Sequence, residues 1–272
     1  MKNKIAILLP VYNAEQFLSE CLESILQQTY TNWLLFACDD GSKDNSLTIL
    51  KEYAAKDERI TFFENPSNLG IVGTRNRLLD VIPEDVDIIA LMDSDDVCFP
   101  DRLVRQLDYL KNHPEVGCVS SCLEIIDENS VTTGYRHYPC DAEVIRKILP
   151  RTNVLAQPAM MLRKEVIIKT GKYAIDCPVC SDYEYWLRVL EHFDFANLSD
   201  PVIRYRISKG QIKQRKLKQS LLVSLAIQRN YYKRIHRMMP ALGIFKQCAG
   251  MILFFLPSWL ILKIFTLLTY KK

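Results

Sequence analysis

Across the first 121 residues, apolar runs of strand length alternate with segments of helical period, and this alternation narrows the possible folds most. Ile5 to Leu9 is unbroken, and Trp33 to Cys38, Ile60 to Phe63, Asp87 to Met92 and Val116 to Ser121 read as further strands. Leu18, Cys21, Leu22, Ile25 and Leu26 recur at the spacing of one helix face, as do Leu47, Leu50, Tyr53 and Ala54. Val72 to Val81 reads as a third helix, and Pro100 opens a fourth with Leu103, Leu107 and Leu110 on one side. Asn13 and Gln16 have the spacing of a capping box for the first helix. Strands without polar alternation are buried on both faces, so the expected fold is α/β, a mostly parallel sheet flanked by helices. Ligands of such sheets bind beyond the carboxyl ends of the strands. Pro10-Val11-Tyr12-Asn13, Asp39-Asp40-Gly41-Ser42 and Asp93-Ser94-Asp95-Asp96 each follow a strand, so three motifs distant in sequence fall on one edge.

After residue 125 the alternation weakens. Asp182 to His192 reads as a helix, Val202 to Ile207 as extended, and Gly210 to Arg237 as a long basic helix with Leu217, Leu221, Leu225 and Ile227 among its apolar positions. Gln247 to Leu262 carries no charge, Lys263 interrupts, and Ile264 to Tyr270 resumes the apolar run. A spanning helix needs about 20 apolar residues; with Pro257 and Lys263 in the stretch, an in-plane or re-entrant membrane helix is expected ahead of a simple span or a globular hairpin. Basic residues just upstream suit an anionic cytoplasmic leaflet.

Charge and cysteine usage limit the function classes. Thirty-five basic against 32 acidic residues leave a net +3, which gives no ground for a nucleic-acid partner. The nine cysteines lie mostly in apolar runs, as buried thiols do. Ile5 to Leu9 is too short for a signal peptide core, so a reduced, cytoplasmic catalytic part is expected. Cys177 and Cys180 have zinc or redox spacing without a second pair and read as solvent-facing thiols. His113, His137, His192 and His236 are scattered and read as surface or core polar residues.

The densest chemical signal is Asp93-Ser94-Asp95-Asp96. Three carboxylates at a strand end repel one another unless a cation is shared, and oxygen-only ligands on a short turn suit Mg2+ or Mn2+. In Asp39-Asp40-Gly41-Ser42-Lys43-Asp44, Ser42 or Asp44 serves as a helix cap, but a cap needs one carboxylate and leaves Asp39-Asp40 unexplained. A carboxylate there is suited to accept a hydrogen bond from a base's ring nitrogen, with Tyr12 one strand away to stack on that base. No Walker loop or Gly-x-Gly-x-x-Gly turn is present, so phosphate charge falls to a metal and to basic side chains.

Together with Asn68-x-Gly70, Arg75-Asn76, Pro100-Asp101-Arg102-Leu103, Gln157-Pro158-Ala159-Met160-Met161-Leu162-Arg163, Gly171-Lys172-Tyr173 and Ser181-Asp182-Tyr183-Glu184-Tyr185-Trp186-Leu187, these motifs resemble the inverting family 2 glycosyltransferases of GT-A fold. The resemblance spans roughly residues 4 to 212, in the family's order. It implies a Rossmann-like GT-A domain in which Pro10, Tyr12 and Asp40 surround a nucleotide base, usually uracil, and Arg75 approaches the base or phosphates. Asp93 and Asp95 hold ribose and metal, Asp95 being the metal ligand, and Gln211 matches a polar position near the diphosphate. Asp182 is the implied catalytic base, although Ser181 stands where the family's pair usually has its first acid. Inverting transfer needs one base for the acceptor hydroxyl and a Lewis acid on the departing diphosphate, and the N–H dipoles of a helix start suit a carboxylate there.

The expected division is a nucleotide-sugar-binding half at 1–125, an acceptor and catalytic half at 126–212, and a basic helix with a membrane-associated helical tail at 213–272. The expected protein is a metal-dependent hexosyl- or N-acetylhexosaminyltransferase at the cytoplasmic face of the cell membrane, peripheral or monotopic. It takes a UDP-sugar donor and a lipid-linked glycan acceptor, in surface polysaccharide or cell-envelope synthesis. A sugar nucleotidyltransferase would want a Gly-rich basic loop where Pro10-Val11-Tyr12-Asn13 stands. A non-catalytic membrane-tethered scaffold of a glycan-assembly complex would not need Asp40, Asp93, Asp95 and Asp182 together.

Overall fold

The computed structural model describes residues 3–208, 217–241 and 243–244. The sheet is organised around β1 (Ile5–Val11), buried along its whole length. On one side it pairs in parallel with β2 (Trp33–Asp39), which pairs with β3 (Ile60–Glu64). On the other it pairs in parallel with β4 (Ile88–Leu91). The chain therefore leaves β1 in opposite lateral directions, which makes a crevice at the carboxyl ends of β1 and β4. Beyond β4 come β9 (Met161–Arg163), antiparallel to both neighbours, then β6 (Val116–Ser121) and β10 (Asp194–Leu198). The expected α/β fold with a mostly parallel sheet is the one observed, with β9 as its antiparallel insertion. A second sheet is ordered β5 (Val97–Cys98), β11 (Ile203–Arg206), β7 (Leu123–Ile126) and β8 (Thr132–Arg136).

Successive β1 side chains point to opposite faces, and the core divides accordingly. Ile5, Ile7 and Leu9 pack with Leu18, Leu22 and Ile25 of α1 (Leu18–Leu26) and with Leu103, Leu107 and Leu110 of α4 (Arg102–Asn112). Ala6 and Leu8 join a second cluster with Val72 and Leu78 of α3 (Gly70–Asp80) and with Tyr183, Trp186 and Leu187 of α7 (Ser181–Val189). Helix α2 (Ser46–Lys56) buries Leu50 and Tyr53 as its spacing predicts. Helices α5 (Ala142–Ile148) and α6 (Lys164–Thr170) are the short helices of the less regular half.

Three expectations need correction. The capping box of Asn13 and Gln16 does not form, since α1 starts at Leu18 after Phe17 with no side-chain cap. Asn13 instead adopts φ 48° and joins two loops: its Oδ1 accepts from the Lys43 N–H at 2.8 Å, and its own N–H donates to Ser42 Oγ at 3.0 Å. Cys177 and Cys180 are half-buried rather than solvent-facing, with Cys180 Sγ 3.4 Å from Ser224 Oγ. Burial pushes the Cys177 thiol up to about 11. The described part of the basic helix is α8 (Leu217–Arg234), which ends three residues before the expected Arg237 and turns Leu225, Ile227 and Tyr231 inward, while residues 210–216 lie outside the described residues. Gln211 and the apolar stretch 247–262 lie outside the described residues. Among the described residues, no helix is long and apolar enough to cross a membrane.

Candidate active site

The loops after β1 and β2 form one hydrogen-bonded unit, which holds the crevice rim. Besides the Asn13 bonds, Ala14 N–H donates to Ser46 Oγ at 2.8 Å and Glu15 N–H to Asp44 Oδ2 at 3.0 Å. Asp44 Oδ1 in turn accepts from the Ser46 N–H at 3.0 Å, but the N-cap position of α2 is Asn45, without a side-chain cap bond, and not the expected Ser42 or Asp44. Within this rim Asp39 and Asp40 have separate duties. Asp39 Oδ2 accepts from the Gly41 and Ser42 N–H groups at 3.1 and 3.0 Å and shapes the turn, with Gly41 at φ 72°. Asp40 Oδ1 accepts 2.7 Å bonds from Asn65 Nδ2 and the Leu69 N–H, so its carboxylate is oriented by β3's exit and by the start of α3. Pro10 is buried at the end of β1, and Tyr12 is 47% exposed.

A small cleft opens beside this rim, lined by Leu8, Pro10, Arg75, Leu79, Leu91, Met92, Asp93 and Tyr173. Arg75, on α3, donates to Asp93 Oδ1 at 2.9 Å and stands 5.9 Å from the centre of the Tyr173 ring. Burial works against the Arg75 charge, but Asp93, Tyr173 and Asp182 outweigh it and raise its pKa. Burial also lifts the Tyr173 phenol to about 12, with Arg75 and Gln157 opposing and Asp182 and Asp93 adding. The carboxylates of Asp93 and Asp182, 89 positions apart, thus act on the same two side chains. Asp182 is half-exposed in the first turn of α7, where Oδ2 accepts from Asn153 Nδ2 at 3.1 Å.

The three acids after β4 do not converge on a shared cation. Asp93 pairs with Arg75, Asp95 is half-exposed, and Asp96 turns inward and accepts from the Arg206 N–H at 2.8 Å. Burial, with Asp95 and Asp93 adding, pushes Asp96 well above the carboxylate range, and its Oδ2 is buried without a hydrogen-bond partner. The Arg75 guanidinium beside Asp93 and the burial that disfavours charge on Asp96 both reduce the repulsion that the sequence suggested a metal alone must relieve. Among the described residues, no three His, Cys, Asp or Glu side chains gather into a preformed metal cluster. Asp93 and Asp95 remain as two half-exposed oxygen donors at the crevice.

Sequence reasoning missed four residues around this site. Asn76 clamps the Tyr173 backbone from both sides: its Oδ1 accepts from the N–H and its Nδ2 donates to the carbonyl, each at 2.9 Å. Gln157 Nε2 donates to the Tyr173 hydroxyl at 2.8 Å. Asn153 holds Asp182, and Arg206 holds Asp96. Asn76 and Gln157 lie within motif strings that give them no role of their own; nothing local marks Asn153 or Arg206.

The family model described as "Glycosyl transferase family 2" matches residues 6–171, more than half of the chain. The chain belongs to this family and is a glycosyltransferase. It is 29% identical over 220 residues to the UDP-Glc:alpha-D-GlcNAc-diphosphoundecaprenol beta-1,3-glucosyltransferase WfgD of Escherichia coli, covering 79% of this chain and 81% of WfgD. Two solved structures share the fold, each with a TM-score of 0.61. S. aureus TarS is 17% identical; the alignment covers 82% of this chain but only 39% of TarS. The mannosyltransferase PcManGT of Pyrobaculum calidifontis, solved with GDP-Man and Mn2+, is 15% identical, covering 95% of this chain and 71% of that one.

Proposed function

We propose that this glycosyltransferase inverts the donor's anomeric centre, taking a sugar from a UDP-sugar to a lipid-linked glycan acceptor in surface polysaccharide or cell-envelope synthesis. The observation that carries the reading is the cleft where Arg75 bonds Asp93 beside Tyr173, whose ring stacks at 4.4 Å on Tyr185 of α7, the helix that carries Asp182 in its first turn. A carboxylate on the donor edge lines the cleft, and a carboxylate suited to act as base stands on the helix packed against the cleft's Tyr173. The donor and the lipid-linked acceptor are supported by the name of WfgD, and the metal by Mn2+ in PcManGT.

In this reading Tyr12 stacks on the base, Pro10 walls its pocket, and Asp40, held rigid by Asn65 and Leu69, accepts from its ring N–H. Asp93 meets the ribose, Arg75 lies along the diphosphate, and Gln211 contributes a polar group near it. Mg2+ typically takes one or two carboxylates together with substrate phosphates rather than an all-protein cage. The half-exposed pair Asp93 and Asp95 fits that donor set, with Asp95 as ligand. Bound there, Mg2+ or Mn2+ supplies Lewis-acid stabilisation of the departing diphosphate. Asp182 accepts the proton of the acceptor hydroxyl as its oxygen attacks the anomeric carbon. The bond to the diphosphate oxygen breaks on the opposite face, and the electron pair leaves with the nucleoside diphosphate. The N-terminal turn of α7 and Asn153 orient Asp182 toward the acceptor.

The division into halves at residue 125, with a tail from 213 that keeps the enzyme peripheral or monotopic at the cytoplasmic face, belongs to the same reading. Its support is the uncharged stretch 247–262 downstream of a basic helix. The direct test of the donor is thermal unfolding against nucleotide sugars with and without Mn2+. A specific donor raises the midpoint with concentration. UDP-sugars should do so in the presence of Mn2+. A rise with other nucleotide sugars alone, or equal rises with and without Mn2+, would overturn the UDP or the metal part of the reading.

A further inference from the structure

Arg206, the last residue of β11, is fully buried, and its hydrogen bonds run to elements remote in sequence. Its backbone N–H donates to Asp96 Oδ1 at 2.8 Å, and its Nε donates to the Asp95 carbonyl at 2.7 Å. One terminal nitrogen donates to the Asp127 carbonyl and Ser130 Oγ, both at 3.0 Å, and the other to Glu20 Oε2 at 2.6 Å. Ser130 Oγ donates in turn to both Glu20 oxygens, at 2.7 and 2.9 Å, closing a ring of partners around the guanidinium. The guanidinium carbon lies 4.4 Å from the centre of the Phe17 ring. The planar fork is therefore fixed by α1, by the β7–β8 turn and by an aromatic face, and its Nε is aimed at the main chain of the Asp93–Asp96 turn. A lysine in its place would offer a single point charge and no such fork.

We propose that Arg206 is a positioning residue that sets the attitude of the Asp95 turn toward the divalent metal, with Glu20 and Ser130 as its anchor. Arg75 fixes the first acid of the turn through its side chain, and Arg206 fixes the second and third through the Asp95 carbonyl and the Asp96 carboxyl. Asp95, whose side chain is half-exposed, is thereby held by its backbone and presents its carboxylate from a rigid turn. Partners of this kind, one step removed from a metal, commonly change metal affinity by about 10- to 100-fold when altered. The inference rests on the metal reading above.

The test measures free Mn2+ by electron paramagnetic resonance in the presence of saturating UDP, alongside the thermal midpoint of each protein. Arg206→Lys should weaken Mn2+ binding by about tenfold or more. Glu20→Gln and Ser130→Ala, which loosen the anchor while leaving Arg206 in place, should weaken it by about threefold or more with little change in midpoint. A purely structural role would lower the midpoint and leave Mn2+ affinity alone. Should Arg206→Lys fail to fold, the two anchor variants decide. Affinity within threefold of the wild type in both of them, or in a folded Arg206→Lys, overturns the proposal. If wild-type protein with UDP takes up no Mn2+, the metal reading fails and this inference with it; that outcome is distinct because it appears in the wild type.

Discussion

On the donor side of the cleft, Asp40 and Asp93 are held by partners from other elements: Asn65 and the Leu69 N–H for one, Arg75 for the other. On α7, Asp182 takes one hydrogen bond, from Asn153, among the described residues, and stands half-exposed on the helix's first turn. The difference matches the roles proposed for the three carboxylates. A carboxylate that reads a base or holds a ribose must not move, because misplacement by an ångström is costly. A base must gain a proton during each turnover, and heavy stabilisation of its charged form would oppose that.

The largest test of this contrast is Asp182→Asn, which keeps the shape and cannot accept a proton. Turnover should fall by about 10² or more, measured as nucleoside diphosphate release with acceptor present. Near-normal turnover would place the base elsewhere and remove one half of the contrast.

A smaller effect separates Asp182 from the fully buried acid, Asp96. The unfolded chain loses the Asp96 proton near pH 4, whereas the folded chain, by burial and the neighbouring Asp95 and Asp93, keeps it to much higher pH. Stability from this group is therefore complete below the unfolded value and is lost as pH rises toward the folded one, at about 1.4 kcal/mol per pH unit. Asp96→Asn removes that slope. Denaturant unfolding between pH 5 and 8 should be flatter for the variant than for the wild type. Parallel curves would show that Asp96 is ionised in the fold.

The smallest expected effect is that of Asn153→Ala. Loss of one hydrogen bond to Asp182 should reduce turnover by about fivefold, near 1 kcal/mol, while UDP binding stays unchanged. A loss as large as that of Asp182→Asn would mean that the base side is as tightly organised as the donor side.

The same contrast explains how far the sequence could be read. Strands β1, β2, β4 and β6 and the buried faces of α1, α2 and α4 were legible because their apolar residues are consecutive or periodic, and burial follows period directly. The motifs at the strand ends were legible because the topology of a parallel sheet delivers them to one edge. What escaped were pairings without a local signal. Arg75 meets Asp93 across 18 positions, Asn76 meets Tyr173 across 97, and Arg206 meets Asp96 across 110. Strand β9 escaped because three residues carry no period, although it sits between β4 and β6 and joins the two parts of the main sheet. The capping box fails for a related reason: local spacing pairs Asn13 with Gln16, whereas its bonds run to the loop 30 positions away.

The central claim is that the donor edge and the base are separable parts of one glycosyltransferase cleft. Titration calorimetry of UDP in Mn2+ with Asp40→Asn and Asp182→Asn tests it most directly. The prediction is that Asp182→Asn binds UDP as the wild type does, while Asp40→Asn, with the acceptor for the base's ring N–H replaced by an amide, binds at least about tenfold more weakly. Equal loss in both variants, or loss in Asp182→Asn alone, would contradict the account.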